Sequence, residues 1–527
     1  MNTKLIYTIL SILFLLNTAI AQKTAKQQTR INIEIPDKPV SIDPMIYGQM
    51  LEDCNDKVIY GGLVNQDGSL HDKANELLKP LNIPVVRWPG GTYVHEYDWK
   101  KGIGPMKDRP VVDEFAWKGK ETNLFGTDEF LQWCDKIGTE AYINFNMGND
   151  PVYGASLGDA ISWIEYVNGP VSTTLGKKRA YNGHAEPYNV KYWGIGNENY
   201  GPWGRHSGET AEVYSKRLHR WATTIRSLYP DLQLLGVGHT YNWNDTILQV
   251  NGKLIDFLTL HYYMTANVKD NTLQNEESTL FSPAKVELQI SKNVELLDKV
   301  NKQNNRINNP VRFSIDEWNC RHSVFSDEKY TFTRNDSRRQ FDVAATAGML
   351  NVFIRQSPHV GMANYIFPVN GHGLIRTVGE NDAYISATYP IFELYRKHMT
   401  GKKLNINIDG AKTILSVNKL SVAGDIFNNS GELELSYIDA VAVITDDETI
   451  NMTIINRSHN ENHKINISLP GGYVPVRMWQ IDNKDINAAN TAGNRDVVVC
   501  RTTELQKKLR TLTVPPCGFM LIQFAKP

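Results

Sequence analysis

VKYWGIGNENYGPWGRHSGETAEVYSKRLHRWATTIRSLYPDLQLLGV, residues 190–237, reads as one complete β/α/β unit. Residues 190–195 are a short apolar run of β character. Residues 208–228 repeat apolar side chains at three- and four-residue steps, which predicts an amphipathic helix. Residues 233–237 return to a short apolar run. The same alternation continues outward from this unit. Further strands are predicted at 45–50, 85–88, 141–145, 257–260, 312–315 and 360–367. A second clear helix is predicted at 126–136 (GTDEFLQWCDK), where Thr127 two residues before Glu129 suggests a capped start. Strands buried on both faces read as apolar runs rather than as strict alternation. Eight β/α units within residues 45–400 therefore predict an α/β fold, a (β/α)8 TIM barrel. An open doubly wound sheet is the alternative, but it would not need eight units.

The pattern changes near residue 400. Residues 401–527 carry short alternating stretches, such as 449–455, 474–479 and 511–524. Turn clusters at 428–431, 470–472 and 490–493 separate them. This predicts a C-terminal antiparallel β-sandwich. Residues 22–44 contain a further β-like stretch, 29–42, expected to join that sandwich. No internal repeat and no long low-complexity linker interrupts the chain.

The 527 residues exceed one ordinary core, in keeping with two domains. Lys plus Arg total 56 and Asp plus Glu 57, so the basic footprint of a nucleic-acid binder is missing. The same balance argues against docking on an anionic membrane. Residues 1–21 read as a secretory signal peptide: Lys4, an apolar stretch over 5–16, and Ala19-Ile20-Ala21 as the cleavage site. The expected location is periplasmic or extracellular. No later run is long and apolar enough to span a bilayer. Five cysteines include no CxxC and no zinc spacing, and Cys500 and Cys517 are the candidate disulfide.

In such a barrel, chemistry gathers where strands end. Strand four runs into Asn197 and Glu198, and strand seven into Asp316, Glu317 and Trp318. A lone strand-end glutamate is more often a salt-bridge partner than a catalyst. Two of them facing across a barrel are what glycoside hydrolysis needs, one neutral to protonate the leaving oxygen and one ionised to attack the anomeric carbon. A retaining enzyme would hold them about 5–5.5 Å apart. His261, after strand six, is read equally as a supporting imidazole and as a direct substrate contact. Arg87 is placed to brace Glu317 or Glu52. Trp88, Trp203 and Trp318 suit barrel packing or sugar stacking, with Trp318 the best stacking candidate.

WGIGNENYGPW (193–203), FSIDEWN (313–319), VVRWPGGTYVHEYDWKKGIGP (85–105) and IYGQMLED (46–53) resemble the motifs of glycoside hydrolase family 51, mainly α-L-arabinofuranosidases. The resemblance runs in order over nearly the whole mature chain. It implies a retaining enzyme acting on a carbohydrate, with Glu198 as acid/base and Glu317 as nucleophile. Glu52, Arg87, Asn197, Tyr263 and Trp99 would line the sugar site, together with His261 and Trp318. It implies no metal or organic cofactor, and often a homo-oligomer. The chain departs from the family pattern at Thr92, where Asn is usual, and at Phe367, where a sugar-binding Gln is expected. Residues 199–204 also differ. These departures motivate an alternative substrate, a β-xyloside or β-glucan. A non-catalytic carbohydrate-binding protein is a further alternative, against which retention of both glutamates speaks.

Overall fold

A computed structural model describes residues 28–54, 56–423, 430–508 and 510–527. The expected signal peptide, residues 1–21, lies outside the described residues. Eight parallel strands form a closed ring: β1 (Gly48–Met50), β2 (Val85–Trp88), β3 (Glu140–Phe145), β4 (Tyr192–Ile195), β5 (Gln233–Val237), β6 (Phe257–Lys269), β7 (Arg312–Ser326) and β8 (Val360–Tyr365). Each pairs with the next, and β8 pairs with β1, so the sheet has no open edge at the barrel wall. A helix follows every strand: α1 (Asp72–Leu78), α2 (Thr127–Ile137), α3 (Leu157–Asn168), α4 (Ala211–Leu228), α5 (Tyr241–Asn251), α6 (Glu276–Gln303), α7 (Gln340–Arg355) and α8 (Tyr389–His398). The TIM barrel is the fold the sequence predicts.

Local chemistry moves several boundaries. The first strand starts only at Gly48, because Pro44–Tyr47 forms a 3-10 turn whose Met45 amide is capped by the Asp43 carboxylate at 3.1 Å. The N-cap of α2 is Gly126 rather than Thr127. Glu129 reaches back to accept the Gly126 amide at 2.9 Å, while the Thr127 hydroxyl accepts the Trp163 indole N–H at 3.1 Å. Strands β6 and β7 run far past the predicted 257–260 and 312–315. They continue as a paired ribbon to Val268 and Val324, and β7 turns back into a hairpin with Lys329–Thr333. This ribbon builds a wall above one side of the barrel mouth.

Two larger sheets outside the barrel pack against one another. Gln28–Glu34 lies between Asn405–Asp409 and His463–Ser468, with Thr511–Val514 beyond. The N-terminal strand thus sits in a sheet with C-terminal strands, and its pairing with His463–Ser468 is parallel. The second sheet has seven strands, centred on Ile438–Ile444, Ile450–Asn456 and Phe519–Ala525. Alternate residues such as Ile31, Ile33, Met452, Ile454 and Ile522 fill the space between the sheets. Ile450–Asn456 is buried on both faces because its second face meets the barrel. There the Thr453 hydroxyl donates to Asn351 of α7 at 2.8 Å, and Arg355 pairs with Asp439 at 2.7 Å.

All five cysteines are unpaired. Cys500 and Cys517 do not form the expected bridge because strand Val474–Ile481 lies between them. Ile481 pairs with Cys500 on one side and with Phe519, two residues past Cys517, on the other. That separation is about two strand spacings, near 10 Å, well beyond disulfide reach.

Side chains alternate across β7, so Glu317 faces the barrel axis and Trp318 faces the helices. The Trp318 ring is fully buried against Phe353 of α7, Tyr365 of β8 and Phe392 of α8. It is a packing residue, and the expected stacking role is corrected accordingly. Trp318→Ala should cost about 3–5 kcal/mol of stability, as other large-to-small aromatic core changes do. A thermal unfolding midpoint unchanged from the wild type would contradict this placement.

Candidate active site

The site is built around a buried guanidinium. Arg87 ends β2 with its side chain 1% exposed. Its Nη1 donates to Glu317 Oε1 at 2.8 Å, its Nη2 donates to Asn197 Oδ1 at 2.5 Å, and its Nε lies 3.3 Å from Asp316 Oδ2. Asp316 is held in turn by the Tyr142 hydroxyl at 2.6 Å and by Ser314. One arginine thereby ties β2 to the ends of β4 and β7. Two glycines make room for this. A Cβ on Gly91 would sit 2.9 Å from Glu317 Oε1, so only glycine lets the backbone pass so close to the carboxylate. Gly196, at φ +94°, begins a tight turn after β4, where a Cβ would lie 2.2 Å from Asn199 Oδ1. The turn leaves Glu198 itself at φ +42°, a left-handed conformation costly for a non-glycine residue and typical of functional positions.

Glu198 and Glu317 face one another. One oxygen of each, with a His261 ring nitrogen, lie within 4.8 Å of one another. Glu317 accepts from Arg87 on one oxygen and from the Tyr263 hydroxyl on the other. Glu198 accepts from the Tyr200 hydroxyl at 3.2 Å and shares a 2.8 Å hydrogen bond with His261 Nδ1. Glu52 accepts the Tyr93 amide and the Trp117 indole N–H, both at 3.1 Å. The Asn197 amide nitrogen is buried with no partner among the described residues, which leaves it free for a ligand.

The electrostatics separate these acids. Burial works against ionisation of Glu317, but His261, Arg87 and the Tyr263 hydroxyl outweigh it and hold its pKa down to about 2. Glu317 is therefore a carboxylate over the whole neutral and mildly acidic range. Glu52 goes the other way: burial first, then the charge of Glu317, raises it to about 7. Burial disfavours a charged His261, yet Glu317 and Glu198 raise its pKa. The group Glu198, His261 and Glu317 has the spacing of a cation site, as does the buried set Cys320, His322 and Asp342. In both, internal partners already occupy the donors. Both oxygens of Glu317 are bonded, Asp342 is paired with Arg338 at 3.0 Å, and both nitrogens of His322 meet carboxylates at 2.8 Å.

A cleft of about 580 Å³ opens beside Glu198 and His261. Thr92, Trp117, Tyr200, Trp203, His239, Tyr263 and Arg321 also line it. The structure thus brings together seven of the expected residues: Glu52, Arg87, Asn197, Glu198, His261, Tyr263 and Glu317. It does not bring Trp99. That ring is buried, stacked on Trp163 at 6.0 Å, and its N–H donates to the Asp159 carbonyl at 3.2 Å. Trp99 faces a separate hollow of about 180 Å³. Phe367 is 1% exposed and is not among the residues that line this cleft. Sequence reading missed Trp117, Tyr200 and Arg321. Trp117 sits at the tip of a hairpin, Val112–Glu114 with Gly119–Glu121, that folds back over β2. The only local signal for it was the turn residue pair Lys118-Gly119.

The chain is similar to known α-L-arabinofuranosidases. Residues 77–280 match the family model described as "Alpha-L-arabinofuranosidase 1 domain", and residues 316–517 match "Alpha-L-arabinofuranosidase C-terminal domain". A probable alpha-L-arabinofuranosidase C of Aspergillus flavus is 32% identical over 497 residues, covering 89% of this chain and 92% of the relative. An intracellular exo-alpha-(1->5)-L-arabinofuranosidase 1 of Bacillus subtilis is 26% identical, covering 90% of this chain and 93% of the relative. The solved structure of a thermostable GH51 alpha-L-arabinofuranosidase from Thermotoga petrophila superposes with a TM-score of 0.80 at 28% identity, covering 94% of this chain and 99% of the other.

The opposed shifts of Glu52 and Glu317 give a direct test. Glu317→Gln removes the negative charge that helps to raise Glu52, so Glu52 should ionise at lower pH than its value of about 7. Carbon-13 NMR of labelled glutamate carboxyls would follow this, with Glu52→Gln identifying the resonance. An unchanged midpoint would mean that the two carboxyls do not interact.

Proposed function

The chain belongs to family 51 of the glycoside hydrolases, the α-L-arabinofuranosidases, and on that footing we propose that it is a secreted, exo-acting enzyme that removes arabinofuranosyl units from plant polysaccharides or oligosaccharides. The observation that carries the mechanism is the Glu198–Glu317 pair, with carboxylate oxygens within 4.8 Å. That approach of one oxygen from each fits the roughly 5–5.5 Å carboxyl spacing of a retaining pair better than the roughly 6.5–9.5 Å of an inverting one. Retention of configuration by double displacement follows.

Glu317 is the nucleophile. Its low pKa keeps it ionised, and Arg87 and Tyr263 fix both oxygens so that one lone pair faces the anomeric carbon. Glu198 is the acid/base. It protonates the departing glycosidic oxygen as the C1–O bond breaks and the Glu317–C1 ester forms. It then takes a proton from the water that cleaves that ester. The 2.8 Å contact with His261 Nδ1 orients the Glu198 carboxyl. The unpartnered Asn197 amide suits a sugar hydroxyl beside the reacting carbon. Glu52, neutral below about pH 7, can donate a hydrogen bond to another hydroxyl. Secretion rests on the first 21 residues, and the mature chain should begin after Ala21.

An aryl α-L-arabinofuranoside should be hydrolysed, and methanolysis followed by proton NMR should yield the α-methyl glycoside first. No cleavage of that substrate, with an aryl β-xyloside or a β-glucan cleaved instead, would overturn the sugar assignment. Glu198→Ala should lower kcat/KM about 10²–10⁴-fold for substrates with poor leaving groups and far less for activated aryl glycosides. Equal losses on both would remove Glu198 from the acid role.

A further inference from the structure

Arg321 stands apart from the other arginines near the site. Arg87 and Arg334 are both paired with carboxylates. Arg321 has no such partner. Among the described residues its guanidinium meets only aromatic faces, with Cζ 3.3 Å from the Tyr263 ring centroid and 5.3 Å from that of Phe332. The short distance to Tyr263 describes face-to-face stacking. A stacked guanidinium keeps its five N–H donors in its own plane, pointing away from the ring and available to a ligand.

Its height above the reaction centre is set by β7. The Arg321 backbone lies four residues beyond Glu317 on the same strand, about 13 Å along it, and its side chain leans back over Tyr263, whose hydroxyl holds Glu317. Position 321 has the same parity as Glu317, and the side chain lines the cleft. The cleft that Arg321 lines contains Glu198, Tyr200 and Trp203 but not Glu317, so it lies on the side where Glu198 would protonate the departing oxygen and where the aglycone leaves. The loop after β4 adds Trp203, 43% exposed on the same cleft, as an apolar platform for a ring. His239, also in the cleft, is held to about 4 by burial and carries no charge near neutral pH. Among the described residues that line the cleft, Arg321 is thus a cation without a carboxylate partner. A partly desolvated guanidinium gains most from a carboxylate, which it can grip through two parallel hydrogen bonds, whereas a neutral hydroxyl accepts only one.

We propose that Arg321 is a specificity residue on the leaving-group side, reading a carboxylate on the aglycone such as that of a uronic-acid unit. The proposal rests on the arabinofuranosidase reading above and narrows its substrate class. Two probes test it, 4-carboxyphenyl and 4-carbamoylphenyl α-L-arabinofuranoside, which have nearly the same shape and differ in charge. The quantity to measure is the ratio of their kcat/KM values. At low ionic strength that ratio should be about tenfold higher for the wild type than for Arg321→Gln, the scale of one charge-assisted contact. Arg321→Lys should keep part of the preference. The wild-type ratio should also fall as salt rises from about 0.02 to 0.5 M, because an exposed charge pair is screened. Equal ratios in wild type and Arg321→Gln would overturn the proposal, including the case of equal losses on both probes, which would confine Arg321 to supporting Tyr263. If Arg321→Gln does not fold, a wild-type ratio that is flat with salt overturns it. Failure to cleave either probe would instead overturn the arabinofuranosidase reading on which it depends.

Discussion

The buried guanidinium of Arg87 constrains everything around it. A charge taken out of water is tolerated only when it is paired and hydrogen-bonded, and here three groups from two other strands do this: Asp316, Glu317 and Asn197. Losing the arginine would leave two buried carboxylates uncompensated, a loss on the order of 3–5 kcal/mol. The same contacts have a chemical consequence. The positive charge that stabilises the barrel mouth keeps Glu317 ionised against burial, and Glu317 in turn helps to keep Glu52 protonated. Structure and reactivity depend on one electrostatic arrangement.

Barrel closure makes that arrangement possible. Strands four and seven are remote in sequence, and only the β8–β1 and β6–β7 pairings bend the sheet into a ring that turns their ends toward one axis. The sandwich is joined to the back of this ring through Asp439, Thr453 and α7, while Val422–Ala423 of the C-terminal region pairs with Tyr263 and Met264 and reaches the cleft. Above the mouth, the β6–β7 ribbon and the hairpin bearing Trp117 add walls that the bare barrel lacks. Those additions shape the cleft, while the barrel itself supplies Glu198 and Glu317.

The residues differ in how far they could be read in advance. Glu198 and Glu317 were legible because a strand-end position depends on a few neighbouring residues. The outward turn of Trp318 was legible too, since period-two alternation opposes it to an inward Glu317, yet its place beside Glu317 suggested a sugar contact. Trp99 and Trp117 were not distinguishable. Both lie in the long loop after β2, and which ring reaches the cleft depends on how that loop packs on α3 and folds into a hairpin. Arg321 looked like one more cation in a strand until the length of β7 placed it at the mouth.

What the sequence determined by itself was the repeating β/α pattern, the sandwich that follows it, and the identity of the two acids at the ends of strands four and seven. These rest on periodicity and near-neighbour spacing, which are local properties. The tertiary structure alone decided which aromatic rings line the cleft, how far the ribbon extends, why Cys500 and Cys517 stay apart, and which carboxyl is ionised. Each of those depends on groups tens to hundreds of residues apart in the chain. Their packing, and the field they exert on one another, exists only once the ring has closed.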